Sequence, residues 1–419
     1  MVCLSAIIKK YGVIRILNEN IRENAKPFVS RGIFTSTTGS QRKNAMSDIP
    51  DDVAETPAIS QTEFEKITAL VSAGFQIEEA FMENYVPTYY LKQSQETKQA
   101  FLRLLKNLRP LKLIALLRRK EKRIVLKVIA KPPVKPNNVL LNWILFLATI
   151  GTTFYTGYIL SERFVEQGIM SNQFVGGAAF SIAIIAVLGM HEMGHKLTAD
   201  RKGIDATPPY FIPGPPPMGG LLGIGTFGAV IMQKSLPPNR DALFDVGSSG
   251  PIIGFFIATI VSIIGLLLSP VLPITQPMDF LPSPLIFDLF AVYLVRLPDN
   301  YYVLLHPVAF AGWVGMVVTM LNLLPAAMLD GGHAARSLLG EKTRLVLTVL
   351  SIFLLVAAGF VPMAIFVIFI AMFRHPGPLD DVSPLSTGRK LVAVGLVAIF
   401  VLCSYLHYFV FLLLRLLGL

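Results

Sequence analysis

Apolar and polar positions divide the chain into two regimes. Beyond residue 138, long apolar runs recur with short polar breaks between them. Before it, apolar residues come in short amphipathic groups. In the first regime the runs fall at 139–160, 174–197, 244–268, 306–328, 345–360, 361–373 and 391–414. Each approaches the roughly 20 apolar residues that a helix needs to cross a bilayer, although 361–373 is short. In the second, residues 62–73 place Phe64, Ile67, Leu70 and Val71 on one helical face. Residues 86–91 (VPTYYL) read as a strand. A helix opening at Ser94 and Thr97 carries the stripe Phe101, Leu102, Leu105 and Leu108. Two strand-like runs, 111–117 and 123–129, flank the charged turn Arg118 to Lys122. The expected fold is a mainly α, polytopic membrane protein of about six to seven transmembrane helices, with a small soluble α+β domain at its N-terminus.

The expected domains are a basic tail at 1–46, an acidic linker at 47–60, the α+β domain at 61–130, a proline linker (KPPVKPNN) at 131–138 and a membrane domain at 139–419. The tail mixes Lys and Arg with Ser, Thr and Asn. That composition resembles an organelle transit peptide, but is read first as a disordered basic tail or as sequence upstream of a start at Met46.

Composition agrees with the membrane reading. The chain has 419 residues, 53% hydrophobic and only 15% charged, against about 25% charged in soluble domains. The net charge of +10 concentrates before the first span. It reads as attraction to anionic lipid and as an orientation signal, not as a nucleic-acid footprint. Basic residues at 98–135, Arg201, Lys202, Lys342 and Arg344 place the N-domain and the C-terminal end of the second span toward the cytoplasm. The expected location is therefore the cell's cytoplasmic membrane. Cys3 and Cys403 form no metal-ligand pattern and argue against a disulfide framework.

The second span carries the chemistry. His191, Glu192 and His195 form H-E-x-x-H, which on a helix sets two imidazoles one turn apart on one face. Two histidines leave a catalytic zinc one protein ligand short. The fourth span ends in Asn322-Leu-Leu-Pro-Ala-Ala-Met-Leu-Asp330-Gly-Gly-His333, and Asp330 is its one carboxylate. The topology brings both segments to one side of the membrane. Gly331 and Gly332 are expected to let the backbone turn sharply there, and Pro325 to interrupt the helix. Gly194 is expected to admit another segment close to the zinc-bearing turn. His306, His333, His375 and the cluster Tyr405, His407 and Tyr408 read as structural or interfacial.

Together these elements resemble the site-2 protease family of intramembrane zinc metalloproteases, which carries H-E-x-x-H and N-x-x-P-x-x-x-L-D-G. The likeness is to the archaeal and plastid-type branch. It rests further on 209–213 (PYFIP), 225–230 (GTFGAV), 239–250 (NRDALFDVGSSG) and 306–315 (HPVAFAGWVG), and covers most of 139–390. It implies one Zn2+ per chain on His191, His195 and Asp330, Glu192 as general base and proton donor, and Asn322 as a substrate- or transition-state-orienting side chain. Strand-like Gly225, Thr226, Phe227 and Gly228 would pair with an extended substrate. The Gly/Pro-rich stretch 214–224 looks like a longer form of a loop that family members fold back into the membrane. The implied partners are a single-span membrane-protein substrate and the bilayer, with a homo-oligomer left open. A transporter or channel using the same His and Asp residues as an ion path is the alternative. Against it, the halves show no inverted repeat and the polar residues gather on one side.

Overall fold

The computed structural model describes residues 60–93, 95–134, 136–218, 223–274, 281–298, 300–373 and 375–405. The basic tail, nearly all of the acidic linker, Ser94, the middle of the 214–224 stretch, His407 and Tyr408 lie outside the described residues. The chain forms two compact units, Met1–Pro133 and Val134–Leu419.

In the first unit, helix α1 (Gln61–Ser72) opens on a capping box. Glu63 N–H donates to the Ser60 hydroxyl, and the Glu63 carboxylate accepts from Ser60 N–H. Bonds donated to that carboxylate by the Ser60 N–H and the Ser60 hydroxyl hold it below its ordinary range. Strands β1 (Ile77–Glu83), β2 (Val86–Leu91), β3 (Leu113–Lys120) and β4 (Arg123–Ala130) form an antiparallel sheet in the order β1-β2-β4-β3, with α2 (Lys98–Leu108) between its hairpins in sequence. Ile67, Val71, Tyr89, Phe101, Leu104, Leu117 and Leu126 make its core. Leu104, not the expected Leu102 or Leu105, is the buried position of α2, because Phe101, Leu104 and Leu108 follow the helical repeat more closely.

Strand β1 was not expected. It is an edge strand, exposed on both faces for most of its length, so burial imposes no apolar alternation on it. The charged turn is also tighter than expected: β3 runs on to Lys120, leaving only Glu121 and Lys122 between paired residues. Both have positive φ, as do Asn84 and Tyr85 in the first hairpin, which is the two-residue turn that matches strand twist.

The second unit is mostly helical. Helices α3 (Val139–Leu160), α4 (Glu162–Glu166), α5 (Gln173–Arg201) and α6 (Arg240–Leu267) are followed by α7 (Leu285–Phe290), α8 (Pro307–Leu323), α9 (Asp330–Leu339), α10 (Glu341–Ala357), α11 (Val361–Ala371) and α12 (Thr387–Cys403). Among the described residues, three stretches are long and apolar enough to cross a membrane: Val139–Glu166, Gln173–Arg201 and Arg240–Leu267. Leu285–Val295, Pro307–Leu323 and Val361–Ala371 are apolar but shorter.

Small residues set the packing. The α3 hydroxyl of Thr153 meets Ser181 at 2.8 Å, and Gly157 lies against Phe180. Pairing in opposite sequence order makes α3 and α5 antiparallel. Phe180 stacks on Phe310 and Val187 meets Gly315, so α5 and α8 run parallel. Gly265 against Ala309, and Ser262 against Gly312, make α6 antiparallel to α8. Such close approach is how helices associate where lipid removes the hydrophobic drive. Phe180, Ile184, Val187, Phe310, Val314 and Met316 fill the shared core.

Two expected helices end early. The run 306–328 stops at Leu323, because Pro325 forces Leu324 into an extended conformation (ψ 132°). In the run 391–414 the helix starts at Thr387 and stops at Cys403, where Ser404 turns extended, and residues 406–414 of that run lie outside the described residues. The segment after α6 carries a two-stranded pairing of β7 (Val271–Pro273) with β8 (Tyr301–Val303), and a π-helical turn at Ala291–Val295. Neither was expected.

Candidate metal centre

Helix α5 runs 29 residues, about 44 Å at 1.5 Å per residue. His191 sits about 27 Å from its start, near the far edge of a hydrocarbon core some 30 Å thick. His191 and His195 are both buried, 4% and 5% exposed. What makes room for them is the facing stretch of α6. A Cβ on Gly250 would come within 2.1 Å of His195 Nε2, and one on Gly254 within 2.7 Å of His191 Nδ1. Two glycines with the same four-residue period as the histidines give a bare groove in which both rings lie. Gly194, between them, abuts the main chain of Ser249, where a Cβ would sit 2.9 Å from the carbonyl.

One hydrogen bond settles a tautomer. His195 Nδ1 lies 2.6 Å from the Val246 carbonyl, which can only accept, so Nδ1 carries the proton and Nε2 presents a lone pair. That Nε2 is 3.3 Å from His191 Nε2, and Asp330 Oδ2 is 3.2 Å from His191 Nε2 and 3.3 Å from His195 Nε2. Two imidazole nitrogens and a carboxylate oxygen thus face one another in a buried triangle, and no arrangement of one shared proton satisfies all three edges. A cation does. Tetrahedral coordination at about 2.0–2.1 Å spaces ligand atoms about 3.3 Å apart, which is the edge length of this triangle, and N and O donors are the zinc set. The residues fit the metal.

Glu192 stands beside the triangle. Ligand atoms of His191, Glu192 and His195 lie within 4.8 Å of one another. The tighter grouping with Asp330 is the better metal cradle, because Glu192 Oε2 is already engaged by the Ile231 amide at 3.0 Å. Asn322 Nδ2 lies 3.4 Å from His191 Nε2, so the end of α8 also reaches the histidine pair.

The predicted strand residues arrive differently. Strand β5 (Tyr210–Pro213) pairs antiparallel with β6 (Thr226–Val230). Gly225, with φ +74°, is pressed onto α3, its carbonyl accepting from the Thr152 hydroxyl at 2.6 Å. The Thr226 hydroxyl donates to Ile212 O within the hairpin, Phe227 is 72% exposed, and Gly228 has φ +98°. None of the four hydrogen-bonds to the triangle among the described residues; the residue that does reach Glu192 is Ile231, just past the strand.

Asp330 is aimed by an irregular turn. Gly331 and Gly332 are helical, not sharply turned as expected. They are needed because a Cβ would strike Leu323 O at 2.1 Å and Ala326 O at 2.5 Å. The left-handed residue is Ala327, φ +45°. One helical turn beyond Asp330, His333 Nδ1 meets His375 Nε2 at 2.8 Å, and His375 Nδ1 accepts from Gly377 N–H at 3.0 Å. Asp381 pairs with both Arg336 of α9 and Arg240 of α6. The sequence reading gives no role at the site to Ile231, Val246, Gly250, Gly254 or the strap at 375–381, although Val246 and Gly250 lie in the 239–250 element and His375 reads as structural or interfacial. The G-x-x-x-G of 250–254 is the further signal that could have been found.

Comparison with known proteins follows the same residues. Residues 179–364 match the model for Peptidase family M50. Among curated proteins, the probable zinc metalloprotease EGY2, chloroplastic, of Arabidopsis thaliana is 32% identical over 231 residues, 54% of this chain and 40% of that protein. The probable zinc metalloprotease EGY1, chloroplastic, of the same plant is 29% identical over 287 residues, covering 61% and 51%. EGY3 of Oryza sativa subsp. indica, with the same style of name, is 27% identical over 270 residues, covering 59% and 44%. The chain thus spans between two-fifths and about half of these relatives. No solved structure matches. The matched stretch spans both the H-E-x-x-H helix and the Asp330 turn, so the likeness to Peptidase family M50, the site-2 protease family, falls on the residues that form the triangle.

Proposed function

We propose that the protein is a zinc-dependent endopeptidase that cuts a single-span membrane protein in or near its transmembrane helix. The observation that carries this reading is the buried triangle of His191 Nε2, His195 Nε2 and Asp330 Oδ2, with Glu192 beside it. His191, His195 and Asp330 would hold the ion. When bound, zinc supplies a Lewis acid that acidifies water and polarises a carbonyl at neutral pH.

The rest is done by the chain's own side chains. Glu192 Oε2 is tied to the Ile231 amide, and Oε1 takes no hydrogen bond among the described residues. Oε1 is therefore the oxygen that takes the proton from the attacking water and returns it to the leaving amine. Asn322, reaching the same ring edge, orients the carbonyl under attack. The outer edge of β6 has no strand partner among the described residues. A substrate must unwind to expose its carbonyl, and an extended segment pairing along that edge would be led toward Glu192. In this reading the shorter apolar helices also cross the membrane, giving six to seven spans.

The active-site end faces the basic side, marked by Arg201 and Lys202. In a bacterial or archaeal cell that side is the cytoplasm. The chloroplastic relatives favour a plastid membrane, where the same side is the stroma. The ion-path alternative is not favoured, because the relatives bear zinc metalloprotease names and nothing in the site calls for transport.

The test is cleavage by purified protein in lipid vesicles. A zinc-loaded wild type should cut a single-span substrate, and Glu192→Gln should lose activity by about 1000-fold or more while keeping its zinc. Cleavage by Glu192→Gln at the wild-type rate would sink the proposal.

A further inference from the structure

The two halves of the centre differ in what holds them. The histidines ride on an unbroken helix. Asp330 follows a break, 324–329, where Pro325 ends α8 and Ala327 adopts a left-handed conformation that L-residues avoid. Such a backbone persists only if its surroundings over-determine it. Both main-chain groups of Ala327 are taken by α10. Its N–H donates to the Thr348 hydroxyl at 3.0 Å, and its carbonyl accepts from Arg344 Nη1 at 2.8 Å. The clamp is itself braced. The Thr348 hydroxyl donates to the Arg344 carbonyl at 2.8 Å, and Glu341 receives Arg344 Nε at 3.0 Å and Nη2 at 2.7 Å. Arg344 and Thr348 are 2% and 3% exposed, so no water competes for these bonds.

We propose that Arg344 and Thr348 are positioning residues for Asp330. By fixing the left-handed Ala327, they hold a carboxylate three residues on at the spacing from two imidazoles that a shared ion requires. This inference rests on the metal-site reading above. It adds a claim that reading does not contain: a helix that touches neither metal nor substrate sets the metal affinity. A buried arginine near membrane depth is costly, and here its fork is spent on one carbonyl and one carboxylate, which a purely apolar helix would not need.

The experiment measures zinc affinity of the purified full-length chain in detergent by competition with a chromogenic chelator, so that no turnover is needed. Thr348→Val keeps the shape and removes the acceptor for Ala327 N–H. It should weaken zinc binding by about tenfold or more, the scale on which partners behind metal ligands act. Thr348→Ser should restore it. Arg344→Lys, milder and with its charge kept, should fall between. Ser351→Ala, buried one turn further along α10, should bind as wild type. If wild type binds zinc and Thr348→Val and Arg344→Lys bind equally tightly, the clamp is wrong while the site stands. If wild type binds no zinc at all, the metal-site reading falls and takes the clamp with it.

Discussion

The histidine half and the aspartate half of the centre solve the same problem by different means. His191 and His195 are separated by one turn of regular helix, so backbone hydrogen bonding alone fixes their spacing. The neighbours of that helix need only stay out of the way, which Gly250 and Gly254 do. Asp330 follows a backbone that no regular element dictates. Its place depends on Pro325, on the left-handed Ala327, on Arg344 and Thr348 behind it, and on the strap at 375–381 against α9. A helix-borne ligand pair is robust to everything except crowding. A turn-borne ligand is only as precise as the side chains that brace it.

That contrast can be broken in three graded ways. The largest effect should come from crowding the histidine half. Gly250→Val drives methyl groups into the His195 ring, and zinc affinity should fall on the order of 100-fold or more, read by chelator competition. An unchanged affinity would show that the ring has another place to go. Next comes the strap. Asp381→Ala removes the bidentate carboxylate from Arg336, whose side chain is 8% exposed, leaving it Glu341 at 2.9 Å, and takes one of two bonds from Arg240, which keeps the residue-381 carbonyl. With Glu341 still beside Arg336, the loss of these charged hydrogen bonds should cost about 2 kcal/mol, so thermal unfolding in detergent should shift down. The smallest effect should be Ala327→Gly. Relief of about 1 kcal/mol of left-handed strain is offset by a similar gain in unfolded-state freedom. Stability should therefore stay within about 0.5 kcal/mol of wild type; a larger loss would mean the Ala327 methyl itself packs in the clamp.

The same contrast explains what could be read from the sequence. Apolar runs and H-E-x-x-H are one-dimensional patterns, and the helices at 139–160 and 173–201 follow them closely. Asp330 could be singled out because it is the lone carboxylate at the end of an apolar run. Its mode of support could not, since Thr348 and Arg344 look like ordinary residues at the start of another helix. The glycines after Asp330 were legible as special but for the wrong reason: they avoid collisions with Leu323 and Ala326 carbonyls instead of turning the chain. Strand β1 stayed hidden because an edge strand exposed on both faces has no buried stripe to display. The two hairpin turns, Asn84-Tyr85 and Glu121-Lys122, reach positive φ without the glycine that announces such turns.

The central claim is that one ion is shared by the two halves. The most direct measurement is zinc content per chain, by elemental analysis after exhaustive dialysis, for wild type, His191→Ala, Asp330→Ala and Glu192→Gln. The account predicts about one zinc per chain in wild type and Glu192→Gln, with loss in both ligand variants. Full zinc retained by Asp330→Ala would mean that the histidine half holds its metal without the aspartate, and would contradict the shared site.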